Sequence, residues 1–506
     1  MLPSRLLPSR RSKVPDSSSR RLYWKPSKAV ALCVRRPLYW PNSARSASLP
    51  RGAYETPAIA RHAGTVLVGQ LAVMAFGVTD TIVAGRHAQE SLAALAIGSA
   101  LYISVYVPLL GMLSALLPIW AELRGARKPQ AIGDSLRQSL YLCALACVPG
   151  MAVLLHPDPV LAWTQVPEAL RPGVEQYLAV LALALPPALL FRVFSTLNQA
   201  LGHPQWVTWL QVVSLLVKIP LSIWWTFGGA GMPAMGVVGC GWATLVVNCG
   251  MLAVALWLLR TQAMYAPLQV WQRMEPPNRA QLAAFARLGI PSALAVTVEV
   301  TSFTLMALFI ARQGTLASAA HQIAANMAAV LYMVPLSLAI ATSARVSYWR
   351  GAGQAAHAQQ AVYIGFRLLA LICIALAAII FIANHWIASV YSNDAQVVMA
   401  AAGLLGWVAL YHLADAVQTL CIFLLRCFRI TLAPLVVYGV MLWGVGLGGG
   451  YLWAYHGFGP VASLASPVPF WAASAAALVV TAVVFAAMLR RALLSSSASV
   501  PEEGAR

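Results

Sequence analysis

Apolar stretches long enough to cross a bilayer recur twelve times along this chain, and that excludes most folds. They run near 63–84, 92–121, 138–155, 177–198, 206–227 and 237–259, then near 290–311, 320–344, 362–383, 401–425, 432–454 and 470–489. A spanning helix needs roughly 20 apolar residues. A lone segment in lipid must satisfy its own backbone, so each stretch is predicted to be a helix. Of the 506 residues, 60% are hydrophobic and only 10% charged, against about a quarter charged in a soluble domain. The net charge of +19 would suit nucleic acid, but twelve Lys and Arg lie in residues 1–55 and most others fill short gaps between apolar runs. That distribution reports topology, and no nucleic-acid partner is expected.

Charge also sets the orientation. If the first span starts in the cytoplasm, the inner loops and tail hold sixteen Lys and Arg, Arg426 and Arg429 among them, against Arg86, Arg171 and Arg312 outside. Both termini are therefore expected in the cytoplasm. Residues 1–55 carry "RRLYWKPS" and the near-duplicate "RRPLYWPNS" but no long apolar run, and read as a basic, disordered extension. The predicted organisation is a six-helix lobe at 56–259, a cytoplasmic linker at 260–288, a second six-helix lobe at 289–490 and a cytoplasmic tail at 491–506. Seven of the eight cysteines sit in apolar segments without a CxxC, which argues against a disulfide or metal framework.

The halves repeat. Shifted by 226 residues, "GRHAQESLAALAIGSA" (85–100) lies over "ARQGTLASAAHQIAAN" (311–326), and "RGAR" (124–127) over "RGAG" (350–353). Six helices per half is an even number, so the halves share one orientation, as parallel repeats about an axis normal to the membrane. The predicted fold is an all-α polytopic membrane protein of twelve transmembrane helices, in two lobes around a central cavity.

Only 15 acids exist in the chain, and Asp80, Glu299 and Asp415 fall well inside spans, whereas Glu122 reads as interfacial. An ionised carboxylate in lipid costs at least ~2.5–3.5 kcal/mol on insertion scales, so each needs a wet interior or a partner. Glu299 is about ten residues past its inner boundary, hence about 15 Å deep; Asp415 is about fourteen from its outer end, hence about 21 Å deep. The two are expected to share a site. Ser302 and Phe303 fall on the helix face of Glu299, and Tyr411, His412 and Gln418 on that of Asp415. The bland alternative is a structural bond, such as an Asp415–His412 ion pair.

The chain resembles the multidrug and toxic compound extrusion (MATE) family, NorM-like bacterial branch. The resemblance rests on "FGVTDTIVAG" (76–85), "LAALAIGSALYISVYVPLLGMLSALLPIWAELRGARK" (92–128), "GVVGCGWAT" (236–244), "LGIPSALAVTVEVTSF" (288–303), "AAHQIAANMAAVLYMVPLSLAIATSARVSYWRG" (319–351) and "YHLADAVQTLCIFLLR" (411–426). It implies that Glu299 and Asp415 bind the coupling cation, H⁺ or Na⁺, with Tyr411 beside them. It further implies that Asp80 and Thr244 are the polar residues of the first lobe. Two departures stand out: Gly64 replaces the family's first-helix proline, and "KIPLS" puts Lys218 and Ser222 where the family has amide or acid side chains. Lys218 is about twelve residues into its span, about 18 Å deep. A buried ammonium needs an anion, and Asp80 is the obvious candidate; the alternative is a wet cavity.

The function so implied is cation-coupled antiport: export of amphipathic organic cations by rocking lobes, with no enzyme activity and no cofactor beyond the coupling ion. Phe303, Met306, Tyr332 and Met333 are candidate cavity-lining residues, and no phosphate-binding GxxxxGK[ST] is present. The expected partners are small amphipathic cations and membrane lipid, in a monomer in a bacterial inner membrane. One alternative is a flippase for lipid-linked oligosaccharide. It is disfavoured because Arg192 and Lys218 are the only basic residues read clearly within spans. A membrane-embedded lipid-transferring enzyme is the other.

Overall fold

The computed structural model describes residues 54–163, 166–229, 231–457 and 462–498. Twelve of its helices are long and apolar enough to cross a membrane. In chain order these are α1 Glu55–His87, α2 Gln89–Gly125 (with a turn at 115–116), α3 Pro129–Leu155, α4 Arg171–Ala200, α5 Gln205–Phe227 and α6 Val237–Thr261. The second set is α7 Arg279–Ala311, α8 Thr315–Gly351, α9 Ala355–Ile382, α10 Ala395–Cys427, α11 Leu432–Tyr455 and α12 Val468–Ala498. The chain is a multi-pass membrane protein. The seven described cysteines are free.

Each lobe has its own apolar core. The lobes meet along matched helices, α1 on α8 and α2 on α7. Under the 226-residue offset these pairs are equivalent, which is the two-fold relation the repeat predicts. Its sharpest expression is at the end that carries the start of α1. A Cβ added at Gly125 would lie 1.9 Å from the Tyr348 carbonyl oxygen, and one at Gly351 would lie 1.9 Å from the Glu122 carbonyl oxygen. The two glycines are repeat partners, and each accepts the backbone of the other lobe, as residue i meets j and j meets i in a two-fold contact.

Ion pairs reinforce the same end. Glu122 bonds Arg429 and lies 3.4 Å from Arg350 across the lobes, so it is an inter-lobe clasp rather than a merely interfacial acid. Glu55 accepts from both Arg345 nitrogens, with Nε at 2.9 Å, and from Trp349 Nε1 at 3.1 Å. Nearby, His203 in the α4–α5 turn is held down to about 4, by burial first and then by the charge of Arg124, so it adds no cation here near neutral pH.

Three expected boundaries shift. Glu55 was placed in the extension, yet it is a buried acid at the first turn of α1, held by Arg345. Residues 1–53 of that extension lie outside the described residues. Helix α7 starts at Arg279, inside the expected linker, because Asn278 Oδ1 accepts from Ala280 N (3.0 Å) and Gln281 N (3.2 Å) and caps it. The rest of the linker is strapped to α3: Arg137 donates to the Gln269 carbonyl at 2.8 Å and Gln138 to the Pro276 carbonyl at 3.0 Å. Helix α12 runs to Ala498, past the expected limit at 490, and 499–506 lie outside the described residues.

Because the close approach is backbone to backbone, no side chain can yield to a larger residue. Gly125→Val and Gly351→Val are each expected to destabilise by about 1–3 kcal/mol, seen as a lower melting temperature in detergent. Gly403→Ala, where an added Cβ meets nothing within 4 Å, should melt as the parent does. Equal melting of all three variants would contradict the contact.

Candidate cation and substrate site

In the second lobe, α7, α10, α11 and α12 surround a small cavity lined by Glu299, Ser302, Phe303, Met306, Tyr411, Gln418, Tyr438, Leu442, Ser474 and Leu478. No described side chain hydrogen-bonds to the Glu299 carboxyl, and Asp415 is near enough for the two charges to interact. Asp415 sits behind the lining. Its Oδ1 accepts from Gln418 Nε2 at 2.7 Å, and Gln418 Oε1 in turn accepts from the Tyr438 hydroxyl. A relay Tyr438–Gln418–Asp415 therefore connects the cavity wall to the buried acid.

Apart from Ser302 and Ser474, the rest of the wall is aromatic and apolar. Phe303, Tyr411 and Trp471 meet edge to face, with centroids 5.8 Å (Phe303–Tyr411), 6.2 Å (Phe303–Trp471) and 5.6 Å (Tyr411–Trp471) apart. Helix α11 shapes one side because its middle, Gly439–Gly449, is wound as a π-helix. Such i→i+5 winding is frequent at functional sites, and Ser302 Oγ reaches the Leu442 carbonyl at 3.5 Å. Trp443 Nε1 donates to the Val298 carbonyl at 3.2 Å, pinning α11 to α7 one residue before Glu299.

In the first lobe Lys218 is 1% exposed at its side chain and its Nζ donates to Asp80 Oδ2 at 2.9 Å and to Thr244 Oγ1 at 2.6 Å. Ser222 donates to Asp80 Oδ1 at 3.2 Å, and the ammonium lies 5.6 Å from the centre of the Phe76 ring. Asp80, Lys218 and Thr244, which sit on α1, α5 and α6, are thus brought into one cluster, apart from the cavity lining of the second lobe.

Of the second-lobe candidates, Glu299, Ser302, Tyr411 and Gln418 line the cavity and Asp415 backs it, as do the wall residues Phe303 and Met306. His412 does not join them. It is buried with Nε2 unbonded, and no ion pair to Asp415 forms among the described residues; the side-chain donor to Asp415 is Gln418 instead. Tyr332 and Met333 are absent from the lining.

Arg426 was read as a loop cation; α10 continues to Cys427, so it is 4% exposed inside the helix, its guanidinium 4.6 Å over Phe423 and its charge within reach of Glu299. It joins Lys218 and Arg137 among the basic residues buried within spanning helices. The sequence reading missed Tyr438, Leu442, Ser474 and Trp471. The lone Tyr before the glycine run at 439–450 was the one available signal.

Two duplicated six-helix lobes with carboxylates buried between their spans define a membrane-transporter architecture. The chain belongs to the MatE family, whose model matches residues 66–224 and 291–452. It is similar to the probable multidrug resistance protein NorM of Aromatoleum aromaticum, at 36% identity over 82% of this chain and 89% of that protein. It is also similar to the multidrug resistance protein PmpM of Pseudomonas aeruginosa, at 33% over 77% and 82%. Among solved structures, the eukaryotic MATE transporter AtDTX14 shares the fold at TM-score 0.78 and 19% identity, over 88% of this chain and 99% of that one. So does the bent form of the Vibrio cholerae MATE transporter VcmN, at TM-score 0.78 and 16% identity over 88% and 98%.

The first-lobe cluster yields a stability prediction. Asp80→Asn or Lys218→Met alone strands a buried charge and should cost roughly 3–5 kcal/mol, whereas the double variant should be nearly neutral. Thermal unfolding of the four proteins checks this, and strictly additive effects would show the two residues to be uncoupled.

Proposed function

We propose that this chain is a secondary antiporter that exports amphipathic organic cations in exchange for H⁺ or Na⁺. The observation that carries this reading is the second-lobe cavity, where Glu299, without a side-chain hydrogen bond among the described residues, shares a wall of aromatic, apolar and uncharged polar side chains, with Asp415 one hydrogen bond behind Gln418. A lipophilic cation gains from the carboxylate charge and from the faces of Phe303 and Tyr411. The coupling ion, as cargo, gains from the same carboxylates. Either can neutralise them, so the two compete, and competition alone links their movements. Among the described residues no group of three His, Cys, Asp or Glu gathers to hold a metal. Oxygens from Glu299, Asp415, Gln418 and Ser302 suit a proton or a singly charged Na⁺ in transit.

The names of the relatives, multidrug resistance proteins NorM and PmpM, support the substrate class. The flippase alternative, which wants a cationic cavity, loses support because the lining holds an acid and no Lys or Arg. We place the protein in a bacterial inner membrane as a monomer with both termini cytoplasmic. In that orientation the glycine contact and the Glu55 and Glu122 clasps seal the cytoplasmic side, and transport requires them to open.

Glu299→Gln and Asp415→Asn keep the side-chain shapes and remove the charges. Each should abolish energised ethidium efflux from inverted vesicles or cells at parental expression. Efflux at the parental rate in either variant would refute the assignment.

A further inference from the structure

The lobes are alike in backbone and unlike in charge. Under the 226-residue offset Asp80 corresponds to Met306 and Lys218 to Gly444, while Glu299 corresponds to Val73 and Asp415 to Leu189. Neither polar set is matched at the corresponding positions of the other lobe. The second lobe presents carboxylates to a cavity. The first holds a carboxylate that already has a cation.

We propose that the first lobe contains a built cation-binding site, formed by Asp80, Ser222, Thr244 and the ring of Phe76, and that the chain fills it permanently with its own Lys218. The groups around the ammonium are those a free alkylammonium would need: a carboxylate oxygen at 2.9 Å, a hydroxyl oxygen at 2.6 Å and an aromatic ring centre at 5.6 Å. The orientation of these groups is fixed independently of the lysine. Thr244 spends its own proton on the Cys240 carbonyl at 2.9 Å, so its oxygen is left to accept. Ser222 donates to the far oxygen of Asp80 at 3.2 Å and turns the near one toward the ammonium. The tether gives the lysine an effective concentration in the millimolar range or above, so external cations at ordinary concentrations are excluded.

Two consequences follow. The wild-type protein takes up cations through the second lobe only, which deepens the proposed function and rests on that reading. Removing the lysine creates a second, vacant site for a small ammonium ion or Na⁺ in the first lobe, which does not depend on it.

The test uses binding, not transport. Truncating Lys218→Ala removes the equivalent of n-propylammonium, which is therefore the probe, with NaCl as second probe and choline chloride as ionic-strength control. Purified Lys218→Ala should melt below the parent and recover by several degrees in millimolar propylammonium. The parent and the Lys218→Ala/Asp80→Asn variant retain only the second-lobe carboxylates for an external cation, so they should respond alike and by less than Lys218→Ala. No recovery of Lys218→Ala beyond the parent's response, or an excess recovery that survives Asp80→Asn, overturns the proposal.

A second arm keeps Lys218 and uses Glu299→Gln/Asp415→Asn, so it decides the matter even if Lys218→Ala cannot be purified folded. Neither probe should shift its melting. A shift that further substitution of Asp80→Asn abolishes would show the first lobe open to external cations and overturn the proposal. Loss or retention of efflux in the Glu299 variant bears on the transport reading alone, so the two failures are distinguishable.

Discussion

Hydrocarbon solvates no charge, and every functional feature of this protein answers to that constraint. An acid placed in a spanning helix must find a cation, a network of donors or a cavity. Asp80 finds a cation in Lys218. Asp415 finds the Gln418 amide, itself held by Tyr438. Glu299 finds the cavity. The last answer leaves a carboxylate open to a mobile ion, and it is the only one of the three that invites exchange.

The duplicated scaffold makes that asymmetry useful. Repeat partners Gly125 and Gly351 hold the lobes together by backbone contact at one end, and Glu55 and Glu122 add charge clasps there. Contacts of this kind are discrete: an ion pair at the end of a helix is made or broken, and backbone that touches through glycine cannot be compressed. Under the proposed antiport, a cargo that changes the charge in the second lobe would bias the equilibrium between open and closed states without contacting the interface, provided it binds the two states unequally.

The fold was legible because membrane spans are read from local composition, and a 226-residue repeat confirms itself. The site was legible where a lone charge sat in an apolar run. Asp80 and Lys218 pointed to each other because each was a buried charge with few partners to choose from. Where the logic was local counting, it failed. Arg426 lies one residue from the end of α10, so a boundary drawn two residues short turned a buried guanidinium into a loop cation. Glu55 was lost in a basic tract because nothing local says that Arg345, 290 residues on, will close over it. Tyr438, Ser474 and Trp471 are ordinary residues until a π-helical turn in α11 and the approach of α12 bring them to Glu299. His412 misled for the opposite reason: the i, i+3 spacing allowed a bond to Asp415 that does not form, while Gln418 on the next turn donates to Oδ1.

The claim on which the account turns is that coupling ion and substrate compete for the second-lobe carboxylates. Its most direct measurement is the equilibrium affinity of the purified protein for a fluorescent lipophilic cation, titrated against pH and against Na⁺. If one ion is displaced for each substrate bound, the apparent Kd should rise competitively, approaching tenfold per tenfold rise in the activity of the coupling ion. That dependence should vanish in Glu299→Gln. Affinity unchanged by protons and by Na⁺ across the range, or the same dependence in Glu299→Gln, would contradict the account.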